Sequence, residues 1–148
     1  MKKQVKTIFI SLVLLSACGK SSQHQHQDDA ESSDNPNQAL YDQIMSVHDE
    51  VMPKSDQLYQ LKKELQDKIA KSIELNEDGK RQLKQTIKEL DSADHSMMEW
   101  MHKFKPLPDS ANQELAREYL ENEMERIKKV RDLINSSLEK ARGELGKK

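Results

Sequence analysis

The spacing of apolar residues constrains this chain more than any other feature. From position 40 onward, apolar residues recur three, four or seven positions apart, which is the period of one face of an α-helix. The first series consists of Leu40, Ile44, Val47, Val51, Leu58, Leu61 and Leu65. Glycine is scarce, with 4 in 148 residues, whereas lysine, glutamate and glutamine are abundant, as is typical of helices. The sequence therefore predicts an all-α fold.

Turn and capping residues divide this region into three predicted helices, over residues of about 36–75, 77–104 and 110–145. Asn76 is suited to cap the second helix, and Pro106 and Pro108 cannot continue it. Ser110 and Gln113 have the spacing of a capping box at the start of the third helix. Because short connections make neighbouring helices antiparallel, we expect an up-down-up three-helix bundle, with a single long coiled coil as the alternative.

The length of the first predicted helix adds a constraint. At the rise of an α-helix it would be about 60 Å long, and the second helix about 42 Å. The first helix must therefore overhang its neighbour or bend. A bend is expected near Pro53, because a proline inside a helix removes a backbone hydrogen bond.

An acidic residue interrupts the apolar series of the second helix. That series consists of Leu83, Ile87, Leu90, Met97, Met101 and Phe104, and the third helix continues with Leu115, Tyr119 or Leu120, Met124, Ile127, Val130, Ile134, Leu138 and Ala141. Asp94 falls in the second series, where a buried carboxylate must be paired or protonated. We expect a buried ion pair of Asp94 with Lys54, Lys62 or Arg117, or else a carboxylate that handles protons or binds a ligand.

The first residues of the chain have the pattern of an export signal. Three lysines precede an apolar run over residues 8–15 that is too short to span a bilayer. The run ends in Leu-Ser-Ala-Cys, which resembles the lipobox of bacterial lipoproteins. The resemblance implies that residues 1–17 are a signal peptide and that Cys18, acylated with fatty acids such as palmitate, becomes the first mature residue.

Residues 18–35 contain almost nothing apolar after Cys18 and are predicted to form a flexible tether. Removing residues 1–17 takes away three lysines and no acidic residue, so the formal net charge changes from −2 to −5. No basic face for nucleic acid is expected. The positions after Cys18 lack an acidic surface-sorting signal, which favours a membrane-anchored, periplasm-facing position outside the cytoplasm over the cell surface.

One end of the predicted bundle collects unusual residues. Folding back after the first helix brings residues 48–53 level with residues 97–104. Trp100 falls outside the apolar series of the second helix, so we expect its ring to be exposed. Grouped exposed aromatic residues often mark a docking site. The candidate contact face consists of His48, Met52, Met98, Trp100 and His102.

Two functions are consistent with this end of the bundle. One is a non-catalytic binding or scaffolding module that contacts another envelope protein. The other is a metal site, for which the candidate ligands are His48, Met52, His95, Met98 and His102. Thioether and imidazole ligands suit Cu(I) best, and haem suits a three-helix core less well. An enzyme is not expected, because the sequence has no nucleophile elbow, H-E-x-x-H motif or phosphate-binding glycine loop.

Two segments of the chain resemble a known group of proteins. The segments VHDEVMPKSDQLYQLKKEL and MMEWMHKFKPL are similar to those of small bacterial lipoproteins that carry the label "viral A-type inclusion protein". The resemblance extends over residues of about 42–141. It implies a lipid-anchored helical bundle and no particular mechanism.

Overall fold

The computed structural model of the protein describes residues 35–108 and 110–146. These residues form no strand and four α-helices, namely α1 (Gln38–Val51), α2 (Ser55–Lys71), α3 (Glu77–Lys103) and α4 (Gln113–Gly146). The predicted all-α class is confirmed. The predicted signal peptide, the lipidated Cys18 and the tether as far as residue 34 lie outside the described residues. None of the described helices has the length and apolar character needed to cross a membrane.

The predicted first helix is bent at its proline. A single 3₁₀ turn over Met52–Lys54 separates α1 from α2, and Pro53 occupies an exposed position in that turn. Proline has no backbone N–H to donate, and its ring clashes with the preceding turn. Because Pro53 faces solvent, the missing hydrogen bond exposes no apolar core. Together α1 and α2 form one bent rod.

The three rods of the bundle run up, down and up, as predicted. Along the first rod, Lys54 contacts Asn135 and Arg142 contacts Gln57, so α4 runs parallel to α1 and α2. Against α3 the order is reversed, since Glu144 contacts Gln82 early in α3 and Tyr119 lies near Phe104 at its end. α4 therefore packs antiparallel to α3 and parallel to the bent rod.

Several buried positions of α3 lie one residue before the positions that the sequence predicted. Its buried residues are Leu83, Thr86, Leu90, Ala93, Met97 and Trp100. They alternate in steps of three and four, which is the seam of a heptad repeat. Thr86 and Ala93 are small and allow close helix approach, whereas Ile87, Asp94 and Met101 lie on a partly exposed flank. The prediction that Asp94 lies on the buried stripe is therefore wrong.

The start of α4 also differs from the prediction. Its apolar face begins with the buried Ala116, while Leu115 is 66% exposed. The capping box of Ser110 and Gln113 does not form, because the helix begins at Gln113 itself. Asn112 caps it instead, since its side-chain oxygen accepts hydrogen bonds from the N–H groups of residues 114 and 115 at 3.0 and 3.1 Å.

The cap of α3 is the predicted one. The side-chain oxygen of Asn76 accepts a hydrogen bond of 2.8 Å from the N–H of Gly79. Glu77 and Asp78 follow in the first turn, where negative charge is favoured by the helix dipole. The short turn before Asn76 thus fixes where the chain reverses, and with it the register of α2 against α3.

The asparagine cap of α4 gives a test of where this helix begins. Asn112→Ala should lower the free energy of unfolding by about 1 kcal/mol, because the N–H groups of the first turn of α4 lose their acceptor. Asn122→Ala is the matched control, since Asn122 is exposed inside α4. That change should be neutral or stabilising by up to about 0.5 kcal/mol, because alanine favours helix. Urea unfolding measures both, and equal losses would contradict the assigned start of α4.

Candidate functional site

The predicted contact face is not a continuous exposed surface. Trp100 is only 3% exposed and belongs to the core. Its ring lies 5.9 Å from the ring of His48 and 4.9 Å from that of Phe104, measured between centroids. The expectation of an exposed tryptophan is wrong, because the buried stripe of α3 runs through Ala93 and Met97 to this position. The predicted approach of residues 48–53 to residues 97–104 is confirmed by the contact between His48 and Trp100.

The remaining residues of the predicted face on α3 point away from His48. Met98 is 38% exposed, and His95 and His102 are exposed as well. Two residues along a helix correspond to a rotation of about 200°, so Met98 and His102 lie nearly opposite Trp100. The ring of His102 is also engaged locally, with Nδ1 2.6 Å from the carbonyl oxygen of Met98.

The predicted metal ligands are therefore divided between two sides of α3. On α1, the ring of His48 packs at a tilt against Trp100 and pairs with Asp49 at 2.8 Å. Met52, in the 3₁₀ turn, packs partly buried against the core. Within residues 35–108 and 110–146, no three His, Cys, Asp or Glu side chains are grouped as metal ligands. The described geometry does not assemble the Met/His set on which the Cu(I) hypothesis depends.

The predicted ion pair of Asp94 is replaced by one from a neighbouring turn. Lys62 donates to Asp91 at 2.6 Å, and the other two predicted partners have contacts elsewhere. Lys54 binds Glu50 and Asn135, and Arg117 binds Glu121. Asp94 itself lies half-buried beside Leu58 at the edge of a narrow cleft of about 100 Å³. Asp94 thus lies level with Leu58, in keeping with the predicted folding back of the second helix on the first, whereas the predicted ion pair does not form.

An aromatic cluster closes the end of the bundle where α3 meets α4. Phe104 lies at its centre, with ring centroids 4.9 Å from Trp100, 6.1 Å from Tyr41 and 6.3 Å from Tyr119. Of the aromatic residues that the structure describes, Tyr59 alone stays outside the cluster. Stacked rings at these distances stabilise one another beyond the burial of their surface. The cluster joins α1, α3 and α4 at this end.

Polar contacts hold the chain around this cluster. The side chain of Asn37 donates to the backbone and side-chain oxygens of Gln113 at 2.9 and 3.0 Å. The N–H of Lys105 donates to the hydroxyl of Tyr119 at 2.7 Å. These bonds fix the first turn of α1 and the loop after α3 against α4. A small cavity of about 170 Å³ remains between Tyr41 and residues 106–108.

The grooves on both sides of α4 are bridged by polar side chains. Toward α3, Lys140 donates to Glu89 at 2.7 Å and Gln82 donates to Glu144 at 2.7 Å. The hydrogen bond from Lys140 holds the pKa of the Glu89 carboxyl below its ordinary value. Toward the bent rod, the bridges are Lys54 to Asn135, Arg142 to Gln57, and Lys68 to the carbonyl oxygen of Glu144.

The groove between α2 and α3 is different. Beyond the ion pair of Lys62 and Asp91, toward the connection of the two helices, lies an open groove of about 400 Å³. We call it the α2–α3 groove, and its lining residues are Gln66, Ile69, Lys84, Ile87 and Lys88. The floor is apolar and half-buried, and Lys84 and Lys88 form no hydrogen bond or ion pair with any described residue.

The sequence alone did not point to the α2–α3 groove. Ile87 was predicted in the core, whereas it lies on the flank that α4 does not cover. The sequence signal for the groove was the apolar series that contains Ile87 and Met101, which is offset by one residue from Thr86 and Ala93. Two interleaved apolar series on one helix indicate a wide apolar face, of which one neighbouring helix covers only part.

Comparisons with known proteins find no match to this chain. No protein-family model, no curated protein and no solved structure matches it. The resemblance to small bacterial lipoproteins therefore stays a prediction.

The aromatic cluster predicts where the bundle is most sensitive to mutation. Phe104→Ala should lower the free energy of unfolding by about 3 kcal/mol, because it leaves a cavity and removes three ring contacts. Tyr59→Ala is the matched control, since Tyr59 is 69% exposed. It should change stability by less than about 0.5 kcal/mol. Denaturant unfolding of the full chain in detergent compares the two, and a loss at Phe104 no larger than at Tyr59 would contradict the cluster's role.

Proposed function

We propose that this protein is a lipid-anchored, extracytoplasmic helical bundle that acts as a non-catalytic binding module. Its contact surface is the α2–α3 groove, in place of the face that the sequence suggested. One observation carries the proposal: Ile69 of α2 and Ile87 of α3 remain half-exposed between these two helices, on the side away from α4. Half-exposed apolar grooves between helices are common sites for helical partners.

The contrast between the grooves supports this choice. Side chains such as Lys140 and Gln82 bridge the groove between α3 and α4, and the open space of about 510 Å³ on that side is lined by polar side chains alone. The α2–α3 groove differs because Ile69 and Ile87 give it an apolar floor. Neither lysine of the α2–α3 groove forms a hydrogen bond with a described residue, and Lys84 has only a weak electrostatic interaction with Glu77, whose pKa is lowered mainly by Lys80. Binding there therefore costs little desolvation of satisfied polar groups.

The anchor rests on the sequence of residues 1–18. If Cys18 is lipidated, the 17 residues from 18 to 34 precede the described bundle, and fully extended they would reach about 50 Å. Lipidation would confine the bundle to the membrane surface. That arrangement favours capture of a neighbouring membrane or envelope protein, because confinement raises its effective concentration.

Site-specific photocrosslinking tests the proposal. A photoreactive benzoylphenylalanine introduced at Gln66, on the rim of the groove, should give a discrete adduct with one protein in intact membranes. The same group at Glu125, exposed on the outer side of α4, is the matched control and should give none. Adducts are measured by electrophoresis and mass spectrometry.

A variant without the anchor provides the second arm. Cys18→Ala should leave the membrane fraction and lose the adduct at Gln66, because the bundle no longer stays beside its partner. No adduct at either position, or equal adducts at Gln66 and Glu125, would contradict a specific contact surface in the α2–α3 groove.

A further inference from the structure

We infer that the α2–α3 groove takes an amphipathic helix with acidic residues along one flank, contributed by another protein. This inference rests on the proposed function and names its class of partner. The observations that carry it are the shape of the groove, its apolar floor and the two lysines on its α3 side.

The shape of the groove accommodates a turn of helix. It lies between α2 and α3, which run antiparallel and are joined by a short turn, and its lining extends over residues 66–69 of α2 and 84–88 of α3. A fourth helix placed there would complete a four-helix bundle, in which side chains of one helix fill the grooves of its neighbours. An extended strand would find no sheet edge, because all described secondary structure is helical.

The floor of the groove is apolar and suits aliphatic side chains of a partner. Ile69 on α2 and Ile87 on α3 are half-buried and face a space of about 400 Å³. Leucine or isoleucine side chains three and four positions apart on a partner helix would occupy it together. Burying the exposed part of both isoleucines supplies the apolar part of the affinity.

The rim of the groove is positively charged and favours a negatively charged partner. Lys84 and Lys88 are four residues apart on α3 and therefore project from one face, one turn from each other. On α2 the facing rim residue is the neutral Gln66, so no carboxylate from the groove lining offsets the two lysines. Acidic residues one turn apart on a partner helix would pair with both. Such complementarity determines which helices bind and how fast they associate.

The same charges argue against a second copy of this chain as the occupant. In a two-fold symmetric contact the groove would face itself, so Lys84 and Lys88 would meet either the same lysines or the neutral Gln66 rim of the other copy, and no carboxylate of the groove lining. Like charges opposed across an interface disfavour the complex. An acidic helix from a different protein avoids this repulsion.

Binding of designed peptides to the full chain in detergent tests the inference. The probe is a fluorescein-labelled synthetic helix with leucines at positions i, i+3, i+4 and i+7 and glutamates on both flanks. It should bind at low salt and weaken when salt is raised. Fluorescence anisotropy measures the dissociation constant. The matched peptide, in which every glutamate is replaced by lysine, should bind at least about tenfold more weakly.

Variants of the protein locate the site. The double variant Lys84→Glu/Lys88→Glu should lose at least about tenfold in affinity for the acidic helix and gain affinity for the basic one. The control Lys128→Glu/Lys129→Glu makes the same change of net charge at two exposed α4 lysines, and it should change neither affinity more than about twofold. Ile87→Glu should abolish binding of both peptides, and circular dichroism checks that every variant remains helical.

The outcomes separate this inference from the proposed function. Equal binding of acidic and basic peptides, or equal effects of the two double variants, would overturn the acidic partner. Preferential binding to anionic lipid vesicles over the acidic peptide, or a concentration-dependent dimer in sedimentation that Ile87→Glu abolishes, would overturn it as well. An adduct at Gln66 in membranes would sustain the proposed function in each of these cases, whereas the absence of that adduct would remove it.

Discussion

The packing of α4 against both other rods is the interaction on which the rest of this structure depends. α4 is the longest helix, with 34 residues, and its buried face is shared between α3 and the bent rod of α1 and α2. Polar bridges such as Lys140 to Glu89 and Lys54 to Asn135 fix its register on both sides. Because α4 covers the same side of α2 and α3, their opposite flanks remain open. The groove is thus a consequence of how three helices share one core.

The aromatic cluster and the proline bend serve this arrangement at the other end of the bundle. Phe104 joins rings from three helices where α3 ends, so the loop to α4 leaves from a fixed point. The 3₁₀ turn at Pro53 lets the first rod follow its neighbours along their length. Unusual residues that suggested a metal site, such as His48, are explained by this packing. The ring of His48 packs at a tilt against Trp100.

Much of the fold follows from local sequence, whereas the site depends on a choice between two helix faces. Pro53, Asn76 and the three-and-four spacing are local signals, and they predicted the bend, the reversal and the bundle. The prediction failed at Asp94 and Trp100, because Ile87 and Met101 are more hydrophobic than Thr86 and Ala93. Hydrophobicity favoured the series with Ile87 and Met101, but the close approach of α4 requires the small residues Thr86 and Ala93. Only the position of α4 tells which series is covered, so the groove could not be identified from the sequence.

The central claim is that the α2–α3 groove, with its apolar floor, is the contact surface of the bundle and that the polar-lined space between α3 and α4 is not. Backbone amide chemical shifts, followed by NMR while the acidic amphipathic peptide is added, test this claim most directly. The account predicts that the perturbed residues cluster around Gln66, Ile69 and Ile87 and that Lys128 and Arg142 stay unchanged. Perturbations centred on α4, or on the aromatic cluster around Phe104, would contradict it.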